Sequence, residues 1–315
     1  MAIEFNNEVM ETLMTEQIMQ NTKAFAQGTG GAIVPMTEYH KGDFEEEIFF
    51  TSVGGVKRRD PNVNNAAVAD ALNTANQRGV KLYFYKDVEY KLTDINRYGK
   101  DPDALAVKIG QDLGAAVTAE MLNNGLISAV AAIGSGTCVF DGTAGKPDVK
   151  TLNQMLRLFG DQSQSLKAIV ANSNFYFNLN DAGIGSGLDT VASGVLYDAT
   201  PATMGRKTYV TDSLALSYTD ATLGQIDQAL MLQQGAVVVK ESEERLVTSE
   251  IVTGGENAIY RVHLEGAMTV SVKGYAYKDT AGANPDAATL GASANWQQVV
   301  TDIKAGAGVL GKALA

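Results

Sequence analysis

Residues 101–124, DPDALAVKIGQDLGAAVTAEMLNN, decide how the rest of this chain is read. Asp101 can accept amide protons as an N-cap, Pro102 suits the first helical position, and Asp103 favours the positive end of the helix dipole. Leu105, Ile109, Leu113, Val117 and Met121 then recur at four-residue spacing, which places them on one apolar stripe. A helix that runs to about Asn124 spans roughly 35 Å at the usual rise per residue.

On either side the pattern changes to β-structure. Residues 44–56 and 80–90 are β-rich runs flanking a polar, Asn- and Ala-rich insert at 62–76. Val80, Leu82 and Phe84 alternate with Lys81, Tyr83 and Tyr85, the period-two sign of a strand, and the two runs read as one long hairpin. A lone hairpin is marginal in water, so one this long is better explained if it lies across another subunit. Beyond a Gly-rich passage at 134–145, Asp148 is expected to cap a helix carrying Leu152, Met155 and Leu156 that stops at Gly160. Residues 166–170 read as a short buried strand, and Ser173 as the cap of a brief helix carrying Phe175 and Leu179. Four further runs, 234–239, 246–252, 260–265 and 268–273, suggest a long antiparallel sheet with one wet face. The class is therefore α+β. No internal repeat occurs, which weighs against propellers and solenoids.

Near the N-terminus Met10, Leu13, Met14 and Ile18 have helical spacing, but this apolar face is too narrow to build a core of its own. Two readings stand side by side: an arm that docks on a neighbour, or a helix packed on its own chain.

Composition narrows the function classes. A chain of 315 residues can bury roughly 75% of its unfolded surface and form one or two domains. The single Cys138 rules out a disulfide framework and fits a reducing compartment. Met1-Ala2-Ile3-Glu4-Phe5 does not read as a secretory signal, and the longest apolar stretch, 126–133, is interrupted by Ser128 and too short to span a bilayer. A net charge of −11 argues against tight phosphate-backbone binding, yet an acidic wall can enclose DNA without gripping it. Catalytic chemistry is sparse. Only His40 and His263 could serve as imidazole bases, and they lie far apart in unlike contexts. The glycine-rich stretches at 183–187 and 134–136 lack the Lys-Ser/Thr of a phosphate loop. Glu45, Glu46 and Glu47 alternate faces on a strand and cannot converge on a metal. No catalytic, cofactor or metal site is expected, and the chain does not read as an enzyme.

The informative charges are opposed blocks: Glu45, Glu46 and Glu47 near the start of the hairpin and Lys57, Arg58 and Arg59 near its tip. These six are the candidate intersubunit contacts, because complementary charge steers association and rejects wrong partners.

Four short motifs in order carry a resemblance. Asn284-Pro285-Asp286 through Leu290, then Asn295-Trp296 and Lys304, have the form N-P-x-x-x-x-L, N-W, K. Gly205-Arg206-Lys207-Thr208-Tyr209-Val210-Thr211-Asp212 has the form G-R-x-x-x-V-T-D. Residues 166–173, LKAIVANS, resemble a strand-then-helix segment, and His263-Leu264-Glu265-Gly266 an H-P-x-G turn in which Leu264 replaces the proline. Together they resemble the major capsid proteins of tailed double-stranded DNA bacteriophages.

That resemblance implies an N-terminal arm (1–43), an extended hairpin loop (44–92), a peripheral domain with a long spine helix on an antiparallel sheet (93–147 and 230–276) and an axial α/β domain (148–229 and 277–315). It implies a coat protein that assembles with itself as hexamers and pentamers into an icosahedral head enclosing genomic DNA. Further implied partners are a separate scaffolding protein, a portal protein and a decoration protein; no membrane is involved. The place is the virion, after assembly in the host cytoplasm. Some members cross-link a hairpin lysine to a neighbour's asparagine, but nothing here identifies that pair, so Lys57 is not assigned the chemistry. An encapsulin-like compartment, which shares the fold, and a monomeric α+β binding module or enzyme are the alternatives.

Overall fold

A five-stranded and a six-stranded sheet, with one long helix, organise the residues that the computed structural model describes: 7–50, 56, 58–59, 61–63, 66, 74–93, 102–185, 206–253 and 255–315. Helix α1 (Asn7–Gly28) leads to strands β1 (Ile33–Thr37), β2 (Phe44–Phe50) and β3 (Thr74–Lys91), and then to α2 (Pro102–Ser135). Next come β4 (Val139–Gly142), α3 (Val149–Phe159), β5 (Leu166–Ala171), α4 (Ser173–Gly185), β6 (Lys207–Val210) and β7 (Ser217–Asp220). The chain continues through β8 (Gly224–Gln233), β9 (Val237–Val252), β10 (Ile259–Val272), β11 (Tyr275–Tyr277), α5 (Ala287–Leu290), β12 (Trp296–Gln298) and β13 (Gly308–Leu314).

The first sheet has the order β1-β9-β10-β3-β2, antiparallel except where β1 runs parallel to β9. The four short runs expected at 234–273 are in fact two long strands, β9 and β10. Two register shifts explain why the pattern of β9 breaks: Glu265 pairs with Leu246, Ala267 with Glu243 and Met268 with Glu241, so β9 carries two extra residues over this stretch and its side-chain alternation slips there. Tyr260, Val262, Leu264, Met268, Val270 and Val272 are buried on one side. Arg261, His263 and Glu265 form the wetter face.

Helix α2 lies against this sheet, touching both β9 and β10. Ile109, Leu113, Val117 and Met121 are buried and Leu105 is packed against the core, as their spacing predicts. The helix does not end near Asn124. It continues to Ser135, 34 residues in all, because Leu126, Ala129 and 131–133 are fully buried, and burial outweighs the weak helix propensity of Asn123-Asn124-Gly125. The N-cap proposed at Asp101 lies outside the described residues.

Helix α1 is packed on its own chain, which decides between the two readings of its narrow apolar face. Met10, Met14 and Ile18 are buried and Leu13 is half-buried, with α1 resting on α2. The contact is backbone to backbone. A Cβ on Gly110 would stand 2.7 Å from the carbonyl oxygen of Met10, and one on Gly114 2.9 Å from that of Met14. Close approach, rather than a wide apolar stripe, lets α1 dock.

The second sheet has the order β4-β13-β8-β5-β6, with β7 on the edge of β8. Asp148 caps α3 in a capping box with Thr151, and the helix ends at Gly160, whose φ of 52° favours glycine. Leu152, Met155 and Phe159 are buried beneath it, each contributing about 1.5–3 kcal/mol. The cap of α4 lies one residue earlier than expected: Asn172 Oδ1 accepts from Phe175 N at 2.7 Å, while Ser173 N donates to Asp212 Oδ1 at 3.1 Å. The Ser173 hydroxyl and its backbone N–H hold the Asp212 carboxyl below its usual range. Asp212 thus ties the turn after β6 to the start of α4. Arg206, before β6, donates from Nε to Leu166 O at 3.0 Å and from Nη2 to Ser163 O at 3.2 Å.

The terminal motif is structural at every position. Asn284, at φ 47°, accepts from Tyr83 N through its side chain, and Asp286 caps α5 by accepting from Thr289 N at 2.8 Å. Asn295 Nδ2 donates to Thr289 O and Trp296 Nε1 to Leu290 O at 2.8 and 2.9 Å, while Trp296 stacks edge-on against Tyr277. Lys304 reaches Asp161 at 2.5 Å.

Candidate assembly surface

Strands β2 and β3 form the expected hairpin, with Phe44 opposite Val80 and Phe50 opposite Thr74. β3 begins at Thr74, inside the stretch expected as a polar insert, and its second half, from Val80 to Lys91, pairs with β10. The hairpin is therefore the outgrowth of a five-stranded sheet, and β2 is that sheet's edge.

Its base is tied down by ion pairs. The Lys81 side chain is 1% exposed and its ammonium reaches Glu243 at 2.6 Å and His40 O at 3.2 Å. Lys240 pairs with Glu38 at 2.7 Å and with Glu45. Arg78 lies over the ring of Phe44, bonds Glu46 at 2.5 Å and approaches Asp279 at 3.4 Å. The Asn76 amide and the Arg78 guanidinium hold the Glu46 carboxyl below its usual range.

Toward the tip the chemistry changes. Ile48 and Phe50 share one face of β2, and each is 69% exposed; Val56 and Val63 are exposed as well. Large apolar side chains grouped on an edge strand are a liability unless another surface covers them. Arg58 and Arg59 are also exposed, whereas Lys57 lies outside the described residues.

The six charged candidates are thus distributed unevenly. Glu45 and Glu46 have partners inside the chain, Glu47 is exposed on β2, and the two described arginines are exposed near the tip. The charge pattern alone does not reveal Ile48 and Phe50. The available signal was Ile48-Phe49-Phe50: a strand apolar at consecutive positions presents apolar groups on both faces, and a single sheet covers only one.

The wet face of the first sheet carries a charge ladder across three strands. Arg261 on β10 reaches Glu89 on β3 at 2.5 Å and Glu250 on β9 at 3.1 Å. His263 Nδ1 lies 2.5 Å from Asp87 and Nε2 3.5 Å from Glu265, with Tyr85 stacked alongside. The bond to Asp87, aided by Glu265, raises the His263 pKa. His40 belongs to the hairpin base and faces Thr269 at 3.4 Å. Burial raises the Cys138 thiol to about 11 against the opposing bond from Tyr275, which leaves it a poor nucleophile. Among the described residues no group of three His, Cys, Asp or Glu side chains could hold a metal ion.

The family model for major capsid protein 13-like matches residues 2–310. No curated protein sequence matches the chain. Solved structures do. The cyanophage Pam1 capsid asymmetric unit aligns with a TM-score of 0.56 at 14% identity over 90% of this chain and 88% of that one. The acid-stable capsid of Helicobacter pylori bacteriophage KHP30 aligns at 0.55 and 10% identity over 90% and 87%. A chain of Mycobacterium phage Adephagia aligns at 0.53 and 10% identity over 91% and 89%. At these identities the likeness is one of fold.

Proposed function

Since this chain belongs to the major capsid protein 13-like family, we propose that it builds its shell from rings of five and six copies that close into the icosahedral head of a tailed bacteriophage around double-stranded DNA. The family match across residues 2–310 carries the reading. The chain is a major capsid protein, a component of the virion that associates with itself. The exposed Ile48 and Phe50 toward the end of β2, with the exposed Arg58 and Arg59, support contact between neighbours through this element. Closed shells need contacts weak enough to be corrected. Individual contacts of about −4 to −8 kcal/mol, in the millimolar to micromolar range, allow that reversal while their sum makes the finished shell durable.

Sheet membership guides how the regions divide. β4 and all of β8 pair within the six-stranded sheet, so we draw the peripheral unit as 93–138 and 234–276, with β3 completing its sheet, and the axial unit as 139–233 and 277–315. Of residues 1–43, expected as an arm, α1 and β1 instead lie on the peripheral unit, and 44–92 form the hairpin region. The axial unit crowds the ring centre, and the hairpin crosses to a neighbour. The net charge of −11 suits a wall that confines DNA without gripping it. A separate scaffolding protein, a portal protein and a decoration protein are the further partners such a head implies, with assembly in the host cytoplasm. The protein's work is structural and no catalytic role is assigned. An encapsulin-like compartment would share the fold but carry enzyme cargo, and a monomeric module would not assemble; the family match favours neither.

Expression of the chain alone, size-exclusion chromatography with light scattering, and electron microscopy of the large fraction test the proposal. Rings, tubes or polyhedral shells are expected. A chain that stays monomeric at high concentration, even with a scaffolding protein added, would overturn it. Reversing Lys57, Arg58 and Arg59 to Glu is expected to leave the subunit folded and block shell formation; normal shells at physiological salt would remove these residues from the interface.

A further inference from the structure

Where the end of α2, the turn Leu214–Leu216, β8, β13 and α5 meet, the chain forms an open cleft of about 450 Å³ that the assembly reading does not use. That volume lies within the usual range for small-molecule sites. One side is apolar, lined by Ile127 and Val130 from α2 and Leu310 from β13, and Leu214 stands at its edge 87% exposed.

The other side is polar, and its groups have little to bond to. Gln228, on β8, is only 6% exposed, yet among the described residues its amide makes no side-chain hydrogen bond. Its amide atoms are not sealed from the cleft, so the side chain is placed to bond an occupant. Ser217, Tyr218 and Ser293 also line the cleft, and none of their hydroxyls is hydrogen-bonded within the described residues. Lys312 Nζ lies 5.6 Å from the centre of the Tyr218 ring and forms no ion pair with a described carboxylate. Asp141, its register partner on β4, is attracted to it but is held chiefly by Thr143 Oγ and N at 2.6 and 3.1 Å. Asp220 is the other acidic group near Tyr218. The polar side therefore offers an ammonium, three hydroxyl donors and an amide facing an apolar wall.

We propose that this cleft binds a small amphipathic carboxylate, with its acyl chain against Ile127, Val130 and Leu310 and its head group taken by Lys312, the hydroxyls and the Gln228 amide. The site joins the end of the long helix to the axial sheet and the terminal segment, so an occupant would hold these three together. Binding is a property of the single subunit and stands or falls independently of shell formation.

The test is titration calorimetry of the full chain with octanoate and decanoate, using octylamine as the probe of opposite charge. Saturable binding of one acyl carboxylate per chain is expected, with octylamine at least about tenfold weaker, as loss of a charge-assisted bond requires. Val130→Trp fills the apolar side and should abolish binding. Lys312→Glu, at the polar side, should reverse the preference toward octylamine, and it carries the test if Val130→Trp lowers the thermal midpoint. Absence of heat at millimolar ligand with folded protein would overturn the proposal. So would binding that both variants leave unchanged, or octylamine binding as tightly as octanoate.

Discussion

Replacing Ile48 and Phe50 together with Ser separates what the hairpin does for the subunit from what it does for the shell. Each side chain is 69% exposed in the single chain, so about two thirds of its burial energy is still unspent. Full burial of such a side chain is worth about 1.5–3 kcal/mol, which leaves about 1–2 kcal/mol per residue, or about 2–4 kcal/mol per subunit, to be gained at a contact. Set against contacts of about −4 to −8 kcal/mol, this loss weakens association roughly thirtyfold to several hundredfold. Light scattering against protein concentration should therefore show the threshold for shell formation rising by at least an order of magnitude. The thermal midpoint of the unassembled subunit should stay nearly constant, because exposed substitutions typically change stability by about ±0.5 kcal/mol or less. An unchanged assembly threshold would refute the reasoning. A subunit that loses several degrees of stability would refute it too, since the two side chains would then belong to the chain's own core.

Three further substitutions probe the framework. Gly110→Leu places side-chain atoms where Met10 O already lies within 2.7 Å of a Cβ, so α1 should lift from α2 at a cost of about 1–3 kcal/mol, seen as faster amide exchange and proteolysis within residues 7–28; full protection would contradict the backbone contact. Trp296→Phe removes the bond to Leu290 O and part of a buried ring, with an expected loss of about 1–3 kcal/mol by urea unfolding. His263 has a pKa raised by Asp87 and Glu265, so its contribution is fully present below the unfolded value near 6.5 and is lost as pH rises through the folded value. Protection of amides in β3 and β10 should fall over that window, and His263→Gln should remove the pH dependence; an unchanged profile in the variant would assign it to other groups.

Local chemistry was legible where one residue type suffices. Asp148 and Gly160 bound α3 as read, and the spacing of Leu105 to Met121 located the buried stripe of α2. What the sequence hid depends on a partner element. The far end of α2 stays helical because sheets and the terminal segment enclose it, and Asn124 is accommodated by bonding Glu120 at 2.9 Å. Two register shifts in β9 broke its alternation into short runs, whereas in β10 the buried register runs on unbroken from Leu264 to Met268 past Gly266 and Ala267, whose small side chains hid its continuity. For α1, a narrow apolar face looked insufficient because the decisive residues, Gly110 and Gly114, are on the other helix. The opposed charge blocks drew attention to the hairpin, but Glu45 and Glu46 are paired within the chain, and the exposed apolar groups lie beyond them.

The position of β13 imposes an order on synthesis. It lies between β4 and β8, and among the described residues β4 has no other strand beside it. A ribosome must therefore translate through residues 308–314 before a strand made some 170 residues earlier finds its place. Until then the six-stranded sheet has a gap at the position where β4 attaches, while β2 with its exposed Ile48 and Phe50 has long since been made. A nascent coat subunit is thus unable to offer neighbours a finished six-stranded sheet until the final strand closes the gap.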